Sequence, residues 1–223
     1  MASSTLTKLS HQNGMTNQEK IQQAEKKIKM KLLVACEFSG IVRNAFSAKG
    51  HDAWSCDLLP TRLPGNHIQG DVLEVVNDNW DLIIAHPPCV HLSVSGSKYW
   101  AEKVADGRQP AAIKFVETIW QANCPLIAIE NPVGALSTRS KLGKATQYIQ
   151  PFEYGHSESK KTGLWLKGLP KLTPTHVLPL PEKGYWENQT PSGQNKLGPS
   201  EDRALVRAIT YQGIANAMAS QWG

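Results

Sequence analysis

Short apolar runs alternate with stretches of helical spacing between residues 32 and 129. Apolar residues dominate positions 32–36, 52–57, 82–85 and 126–129, and positions 42–49 and 111–121 have the spacing of amphipathic helices. Buried strands that are separated by helices are typical of βαβ units. The pattern predicts an α/β fold with a doubly wound, mostly parallel sheet.

The segments outside this pattern differ in composition. Residues 1–29 are polar and rich in Lys and Gln, which predicts a flexible extension, although Thr16 and Glu19 could also cap a short helix. Residues 169–200 are rich in Pro, Gly, Asn and Thr and predict an irregular loop region, and residues 200–222 are predicted to form a helix that packs on the sheet. We expect one folded domain over residues 30–223, preceded by the extension.

The net charge of +5 changes this picture little. Five lysines and two glutamates within residues 1–29 account for +3, so the folded domain carries only +2, which is weak support for a nucleic-acid partner. The four cysteines, Cys36, Cys56, Cys89 and Cys124, do not have the spacing of a zinc site. Because the sequence also lacks an apolar run of membrane-spanning length, we expect a cytoplasmic protein with free thiols, no metal and no membrane partner.

Polar residues follow the first two predicted strands, at the edge of the sheet where doubly wound folds bind ligands. Phe38, Ser39 and Gly40 precede the first helix, and the glycine allows a ligand to approach the helix N-terminus. Asp57 ends the second strand about 20 residues later, in the position of an acid that binds ribose hydroxyls. Asp71 could contact an adenine amine or cap a helix. These residues are candidates for cofactor binding.

Cys89 has the features of a nucleophile that is held on a rigid loop. Pro87 and Pro88 restrict the backbone between the preceding strand and the cysteine. His86 and His91 are near in sequence and could favour the thiolate form. The alternative is a small, buried and unreactive thiol.

Glu130 ends an apolar strand and is followed by Asn131 and Pro132. A carboxyl group in such a place is expected to have a raised pKa and to share a proton with a base. The alternative is a helix cap or a surface acid. The presence of Cys89 in the same chain favours the catalytic interpretation.

Taken in order, these motifs resemble those of the cytosine-5 methyltransferases. Residues 87–96 read Pro-Pro-Cys-Val-His-Leu-Ser-Val-Ser-Gly and agree at seven of ten positions with the family's nucleophile loop, Pro-Pro-Cys-Gln-Gly-Phe-Ser-Val-Ser-Gly. Residues 37–40 resemble its Asp-Leu-Phe-Ser-Gly cofactor loop, and residues 130–132 its Glu-Asn-Val motif. Residues 154–162 are similar to its Tyr-Gly-Val-Pro-Gln-x-Arg-x-Arg segment, and residues 211–218 to its last motif.

The resemblance implies a Rossmann-like, S-adenosylmethionine-dependent DNA (cytosine-5-)-methyltransferase. Cys89 would add to carbon 6 of cytosine, and Glu130 would hold and protonate ring nitrogen 3. Lys160 would contact the ring carbonyl where the family has an arginine. The implied contacts to S-adenosylmethionine are Phe38, Ser39, Gly40, Asp57, Asp71, Pro88 and Asn216.

The chain departs from the family at several of these motifs. Val90 and His91 replace Gln and Gly beside the nucleophile, and Ala215 replaces a glycine of the last motif. Lys160 and Thr162 stand where the family has two arginines. A lysine is a point charge, whereas an arginine is a planar fork, so the two residues are not equivalent in this position.

The motifs leave the substrate open, because the family's target-recognition domain is missing or reduced to residues 169–200. DNA is the expected partner, and RNA, single-stranded DNA or a free nucleotide are alternatives. A catalytically degenerate protein that binds nucleic acid or cofactor is a further alternative. Trp100, Trp165 and Trp186 could stack on bases, but we expect them to anchor the core or the loops.

Overall fold

The computed structural model describes residues 29–198, 200 and 202–223. The predicted flexible extension, 1–29, therefore lies outside the described residues apart from its last position. The described chain forms one sheet of seven strands in the order β3-β2-β1-β4-β5-β7-β6. The strands are β1 (Lys31–Ala35), β2 (Asp52–Asp57), β3 (His67–Gln69), β4 (Leu82–Ala85), β5 (Leu126–Pro132), β6 (Gln147–Ile149) and β7 (Thr162–Lys167).

The described residues also contain seven α-helices and two short 3-10 helices. The 3-10 helices, Val94–Tyr99 and Pro151–Glu153, follow β4 and β6. The α-helices are α1 (Ile41–Ser47), α2 (Val72–Val75), α3 (Trp100–Ala105), α4 (Arg108–Trp120), α5 (Leu136–Arg139), α6 (Arg203–Ala208) and α7 (Gln212–Gln221).

The sheet is mixed. Strands β1 to β5 pair in parallel, whereas β7 is antiparallel to both β5 and β6. The order β3-β2-β1-β4-β5 is that of a doubly wound sheet. The predicted α/β class is confirmed, and the sheet is compatible with a Rossmann-like fold.

Helices cover both faces of the sheet because successive side chains of a strand point to opposite faces. Leu32 and Val34 of β1 belong to the core cluster that also contains Met218 of α7. Leu33, the residue between them, belongs to the second cluster with Val116 of α4. Burial on both faces explains the continuous apolar runs from which the strands were predicted.

The carboxyl ends of the parallel strands lie at one edge of the sheet. The chain builds β1, β2 and β3 outward in one direction and then crosses to β4 on the other side of β1. The register pairs Ala35 with Ala85, and Ala85 with Ile129. The residues that follow β1, β4 and β5 therefore start at the same level, beside the crevice where such sheets bind ligands.

The last third of the chain agrees with the prediction in outline. Residues 169–198 contain no strand or helix within the described structure, but Trp186 is buried and stacks on Phe152 with ring centroids 4.5 Å apart. The predicted C-terminal helix is divided into α6 and α7 by extended backbone at Ile209. As predicted, α7 packs on the sheet.

Candidate active site

The two segments that carry Cys89 and Glu130 are joined to each other. We call them the Cys89 segment (residues 86–94) and the Glu130 segment (residues 130–135). Both follow neighbouring parallel strands, β4 and β5, so they leave the same edge of the sheet. The joining contacts are His86 Nδ1 to Glu130 Oε2 (3.2 Å), Asn131 Nδ2 to the Pro87 carbonyl (2.9 Å), Ala135 N to the Leu92 carbonyl (2.7 Å) and Val94 N to the Val133 carbonyl (2.9 Å).

Gly134 permits the closest approach between these segments. It forms an isolated β-bridge with Ser93. A Cβ atom at position 134 would overlap the carbonyl oxygen of Leu92 and crowd the backbone of Ser93. The position therefore requires glycine for reasons of space.

The Cys89 thiol is half-buried and lies between cations and a carboxylate. Burial, and then the nearby Glu130 carboxylate, hold the pKa of the thiol above its ordinary value, and the charges of Lys160 and Arg207 only partly offset this rise. The cations that act on the sulfur thus come from the C-terminal half of the chain. His86, expected from its position in the sequence to favour the thiolate, contacts Glu130 instead.

The Glu130 carboxyl group is mostly buried, with 18% of its side chain exposed. Burial alone raises its pKa, but the hydrogen bond with His86, the charge of Lys160 and the contact with Thr162 outweigh burial, so the pKa lies below its ordinary value. The expectation of a raised pKa is wrong, because the sequence did not show that His86 and Lys160 meet this carboxyl group. Glu130 is therefore ionised at neutral pH and can accept a proton.

Lys160 lies beside Glu130, as the catalytic interpretation requires. Its Nζ donates to the carbonyl oxygen of Arg207 at 2.9 Å, and its charge acts on both Glu130 and Cys89. Lys160, Glu130 and Tyr211 line a narrow cavity of about 10 Å³. This space is about the size of one water molecule, so a pyrimidine enters only after side chains at its mouth have moved.

A larger cavity of about 450 Å³ lies on the other side of the Cys89 segment. Asp57, Asp71 and Pro88, three of the predicted cofactor residues, line it together. Each aspartate accepts a backbone hydrogen bond through Oδ1 at 2.9 Å, from Leu59 and Leu73 respectively, which leaves Oδ2 for a ligand. The remaining lining is largely apolar and includes Cys36, Cys56, Leu58, Val72, Ala111, Ala112 and Phe115.

Phe38, Ser39 and Gly40 follow shortly after Cys36, which lines this cavity, but they are not themselves among the described residues that line it. Phe38 is buried with the Arg62 guanidinium 4.9 Å from its ring centroid, and Ser39 is buried beside Glu37. Gly40 has φ 77°, the left-handed conformation that glycine adopts easily, and it starts α1. Their cofactor role stays a prediction.

The N-terminus of α1 already has an anionic partner. The buried Glu37 carboxylate accepts from the backbone amides of Val42 at 2.6 Å and Arg43 at 3.2 Å, and from the Ser39 hydroxyl at 3.2 Å. Helix N-termini in dinucleotide-binding folds bind pyrophosphate through these amides. In this protein the chain's own carboxylate takes that place.

Asn216 is exposed on α7, where its Oδ1 accepts from Gln212 Nε2 at 2.8 Å. It lies outside the described linings of the cavities beside Cys89 and Glu130. The neighbouring Ala215 and Ala217 face the core instead. A cofactor contact by Asn216 stays a prediction.

A third cavity, an open groove of about 750 Å³, leads to the Glu130 side of the site. Ser93 and Val94 of the Cys89 segment line one part of it, and Lys160 lines both the groove and the narrow cavity. The predicted loop region contributes residues 188–197 to another part. Pro88 thus lines the first cavity and Ser93 lines the groove, whereas Cys89 itself is not among the described residues that line these spaces.

Sequence reasoning missed three residues of this site. In the sequence, Glu37 is visible only as part of a motif, and Arg207 gives no signal. The sequence predicts that His86 acts on Cys89, whereas its partner in the structure is Glu130. Arg207 lies in a stretch whose helical pattern carries no chemical signal, and only folding brings it to the groove. The three tryptophans pack as anchors, as expected. Trp165, for example, is 1% exposed, and its Nε1 donates to the Gly143 carbonyl oxygen at 2.8 Å.

Neither the protein-family models nor the curated proteins include a match to this chain. Among the residues that the structure describes, no group of three or more His, Cys, Asp and Glu side chains could hold a metal ion. No helix in the same part of the chain is both long and apolar enough to cross a membrane. The cytoplasmic location stays a prediction.

Proposed function

We propose that this protein is an S-adenosylmethionine-dependent methyltransferase that adds a methyl group to carbon 5 of cytosine in DNA through a covalent adduct at Cys89. The observation that carries the proposal is the joining of the Cys89 and Glu130 segments by side-chain and backbone contacts. This arrangement supports a nucleophile and a proton-carrying carboxylate that act on the same ring. The Rossmann-like methyltransferase type of fold is part of the proposal.

The cavity of about 450 Å³ fits the adenosine part of the cofactor. Oδ2 of Asp57 would accept from ribose hydroxyls, and Oδ2 of Asp71 would accept from the adenine amine. Leu58, Val72 and Phe115 would contact the faces of the purine. The lining thus offers a matching group to each of three parts of the cofactor: the purine ring, the ribose hydroxyls and the adenine amine.

The charge around this cavity favours S-adenosylmethionine over a dinucleotide. Glu37 occupies the helix amides that would bind a pyrophosphate, and Asp57 and Asp71 add two carboxylates nearby. Arg108 also lines the cavity, but its guanidinium is already paired with Glu102 and Asp106, so the three carboxylates favour a cofactor with a sulfonium and an ammonium group over a polyanionic one. Bound S-adenosylmethionine supplies an electrophilic methyl group.

Cytosine carbon 5 becomes nucleophilic only after a nucleophile adds at carbon 6. The Cys89 thiol gives its proton to the Glu130 carboxylate, and the sulfur forms a bond to carbon 6. The π electrons of the 5,6 double bond move toward carbon 5, and Glu130 passes the proton to ring nitrogen 3, so the thiol proton ends on the ring. Lys160 and Arg207 stabilise the thiolate during this step.

The same groups reverse the addition after carbon 5 has received the methyl group. Carbon 5 gives up its hydrogen as a proton to solvent water, the electrons of that C–H bond re-form the 5,6 double bond, and the sulfur leaves with the electrons of the C–S bond as the Cys89 thiolate. Glu130 takes back the proton from nitrogen 3, and the thiolate recovers it. A carboxylate whose pKa lies below the ordinary value suits this role, because it starts and ends the cycle ionised.

Methyl transfer can be tested directly with purified protein and isotope-labelled S-adenosylmethionine. Duplex DNA, single-stranded DNA, RNA and deoxycytidine monophosphate are incubated separately, digested to nucleosides and analysed by mass spectrometry. We expect labelled 5-methylcytosine from DNA, and none from the Cys89→Ala variant. If the label is found only in RNA or only in the mononucleotide, the proposed chemistry is supported, but the substrate is not DNA.

A second cysteine variant controls for the loss of a buried thiol. Cys124 is also buried, but it lies at the amino end of β5, at the opposite edge of the sheet from Cys89. We expect Cys124→Ala to keep methyl transfer. No label in any pool, with a folded wild-type protein that binds S-adenosylmethionine, would contradict the catalytic proposal and favour the degenerate binding protein.

A further inference from the structure

Four cations line the groove of about 750 Å³ beside the proposed reaction site, and they come from three separate parts of the chain. Lys160 and Lys161 precede β7, Lys196 belongs to the loop region, and Arg207 lies on α6. Their convergence was not visible in the bulk charge of the sequence, which is only weakly positive over the folded domain.

The groove has little negative charge to balance them. Glu158 is the only acid among its described lining residues, and its Oε2 accepts from the Tyr211 hydroxyl at 2.6 Å. The four cations and this single acid leave a net charge of +3 on the lining. A groove with this charge attracts polyanions.

Arg207 is the cation best placed to bind an anionic ligand. The Lys160 ammonium already donates to the backbone of Arg207, and the Lys161 and Lys196 ammonium groups lie near tyrosine rings, at 4.9 Å and 5.8 Å from the centroids. The Arg207 guanidinium has no ion pair within the described part of the chain. A guanidinium can bind phosphate through two parallel hydrogen bonds.

We propose that Arg207, supported by Lys161 and Lys196, binds the phosphate groups of the polynucleotide strand that carries the target base. This inference rests on the proposed function, because it assigns the strand on either side of the reacting cytosine to this groove. Lys160 lines both the groove and the cavity beside Glu130, so a strand held by Arg207 continues into the reaction site. Phosphate contacts of this kind set the register of a strand without reading its sequence.

Arg203 provides a matched control for Arg207. It lies one helical turn earlier on α6, and its Nη1 donates to the Gly198 carbonyl at 2.9 Å. It is not among the described residues that line the groove. Replacing either arginine by glutamine removes the same charge from the same helix, so a difference between the two variants reports the position of the charge.

The test measures binding and not catalysis, so it is independent of methyl transfer. All variants carry Cys89→Ala, no cofactor is added, and fluorescence anisotropy follows a labelled 14-nucleotide DNA strand of random sequence at several salt concentrations. We expect Arg207→Gln to weaken binding about 10-fold and to reduce the slope of log K against log salt by about one unit. Arg203→Gln should leave the slope unchanged, and Lys196→Gln should weaken binding less than Arg207→Gln.

Unlabelled competitors then identify the ligand class. We expect single-stranded DNA and RNA of this length to compete far better than deoxycytidine monophosphate or inorganic phosphate. Equal affinity of Arg207→Gln, Lys196→Gln and the parent for the strand, with folding verified by circular dichroism, would overturn the proposal. If the mononucleotide competes as effectively as the strand, the proposal that the groove binds a polynucleotide is wrong.

Discussion

Asp57 and Asp71 each use one carboxylate oxygen to fix the following backbone and leave the other for a ligand. The aspartates end or follow neighbouring strands, β2 and β3, so the sheet brings them to one cavity. Asp71 is both a helix cap and a lining residue, so the two interpretations of this residue are compatible. The first oxygen stabilises the loop, and in the proposed function the second would accept from the cofactor.

Substituting Asp57 by asparagine should therefore weaken cofactor binding while keeping the fold. Asparagine Oδ1 still accepts from Leu59, but a carboxylate acceptor for ribose hydroxyls is lost, and we expect affinity for S-adenosylmethionine to fall about 10-fold by calorimetry. Asp52→Asn is the control, because Asp52 lies at the other end of β2, where Oδ1 accepts from Trp54. Equal affinities in both variants would show that Asp57 does not bind the cofactor.

The low pKa of Glu130 should appear in the pH dependence of stability. A carboxyl group whose pKa is depressed by folding stabilises the protein above its unfolded pKa, and this stabilisation is lost as the pH falls through the folded pKa. His86→Leu removes one cause of the depression, so the stability lost on acidification should be smaller than in the wild type, and the loss should be complete at a higher pH. Urea unfolding between about pH 3 and 6 measures the difference.

Two variants separate this effect from a packing defect. His86→Asn keeps a side-chain donor near the position of Nδ1, so it should resemble the wild type more than His86→Leu does. Glu130→Gln cannot ionise and should lack this part of the pH dependence. An unchanged pH dependence in Glu130→Gln would mean that Glu130 does not carry a depressed pKa.

The sequence alone was sufficient to pair Cys89 with Glu130 but not to describe their environment. The pairing followed from two strand ends, and neighbouring parallel strands do place those ends together. The partners of Glu130 could not be predicted, because His86 and Lys160 reach it from positions 44 residues before and 30 residues after it in the chain. Arg207 is more distant still, and its approach depends on the break between α6 and α7.

At the scale of elements, the contact between the Cys89 and Glu130 segments keeps the nucleophile in place. Four contacts join the segments, and the backbone bonds on either side of Gly134 bring them closest. Proline restricts the Cys89 segment before the nucleophile, and the bonds to the Glu130 segment restrict it afterwards. The backbone around Cys89 is thus restrained on both sides, whereas side chains at the mouth of the narrow cavity still have to move.

Gly134→Ala should separate the two segments. The added methyl group overlaps the Leu92 carbonyl oxygen, so the backbone must shift, and we expect a loss of about 1 to 3 kcal/mol in the free energy of unfolding. Methyl transfer should fall by more than the folded fraction does. Gly198→Ala is the control because its Cβ meets no atom within 4 Å. Wild-type stability and activity in Gly134→Ala would show that the approach is not required.

The elements that the sequence predicted are the ones with continuous apolar runs. The predicted bounds agree with β2 and β4 at both ends, differ by one residue at each end of β1, and stop three residues before the end of β5. β3 and β6 have three residues each, which is too short to give a periodic signal, and β3 contains one apolar residue. β7 is not predicted, and only its first residue, Thr162, belongs to a motif recognised in the sequence. The antiparallel direction of β7 depends on its partners β5 and β6 and cannot be predicted from the strand alone.

At the scale of the whole molecule, the loop region of residues 169–198 forms part of the groove instead of a separate domain. Its fixed point is Trp186, which stacks on Phe152 and is 7% exposed. Residues 188–197 follow directly and line the groove with α6 and the Cys89 segment. The stacked pair, together with the two hydrogen bonds between Asn188 and Ser159, thus determines where this wall of the groove lies.

Trp186→Ala should loosen that wall without affecting the cofactor cavity. Loss of a buried indole costs about 3 kcal/mol, and we expect weaker binding of the DNA strand with unchanged affinity for S-adenosylmethionine. Leu180→Ala, in the same region, is the control because Leu180 is 61% exposed. An equal loss of both affinities in Trp186→Ala would indicate general unfolding, and no loss of either would contradict the anchoring role.

The molecule therefore has two binding spaces on opposite sides of one short segment. The cavity lined by Asp57 and Asp71 lies on the Pro88 side, and the basic groove lies on the Ser93 side. Cys89 follows Pro88 in the chain and lines neither space among the described residues, so the proposed reaction requires the methyl donor in one space and the cytosine in the other to reach it from the two sides. The central claim is that Cys89 forms a covalent bond to that cytosine.

The most direct test traps this bond with DNA that contains 5-fluorocytosine at the target positions. Fluorine at carbon 5 cannot leave as a proton, so the adduct persists after methyl transfer, and intact-protein mass spectrometry with peptide mapping locates it. We predict a protein–DNA species that contains one added methyl group, attached at Cys89, that depends on S-adenosylmethionine and is absent in Cys89→Ala. Absence of the adduct with a substrate strand that the protein binds, or attachment at another cysteine, would contradict the account.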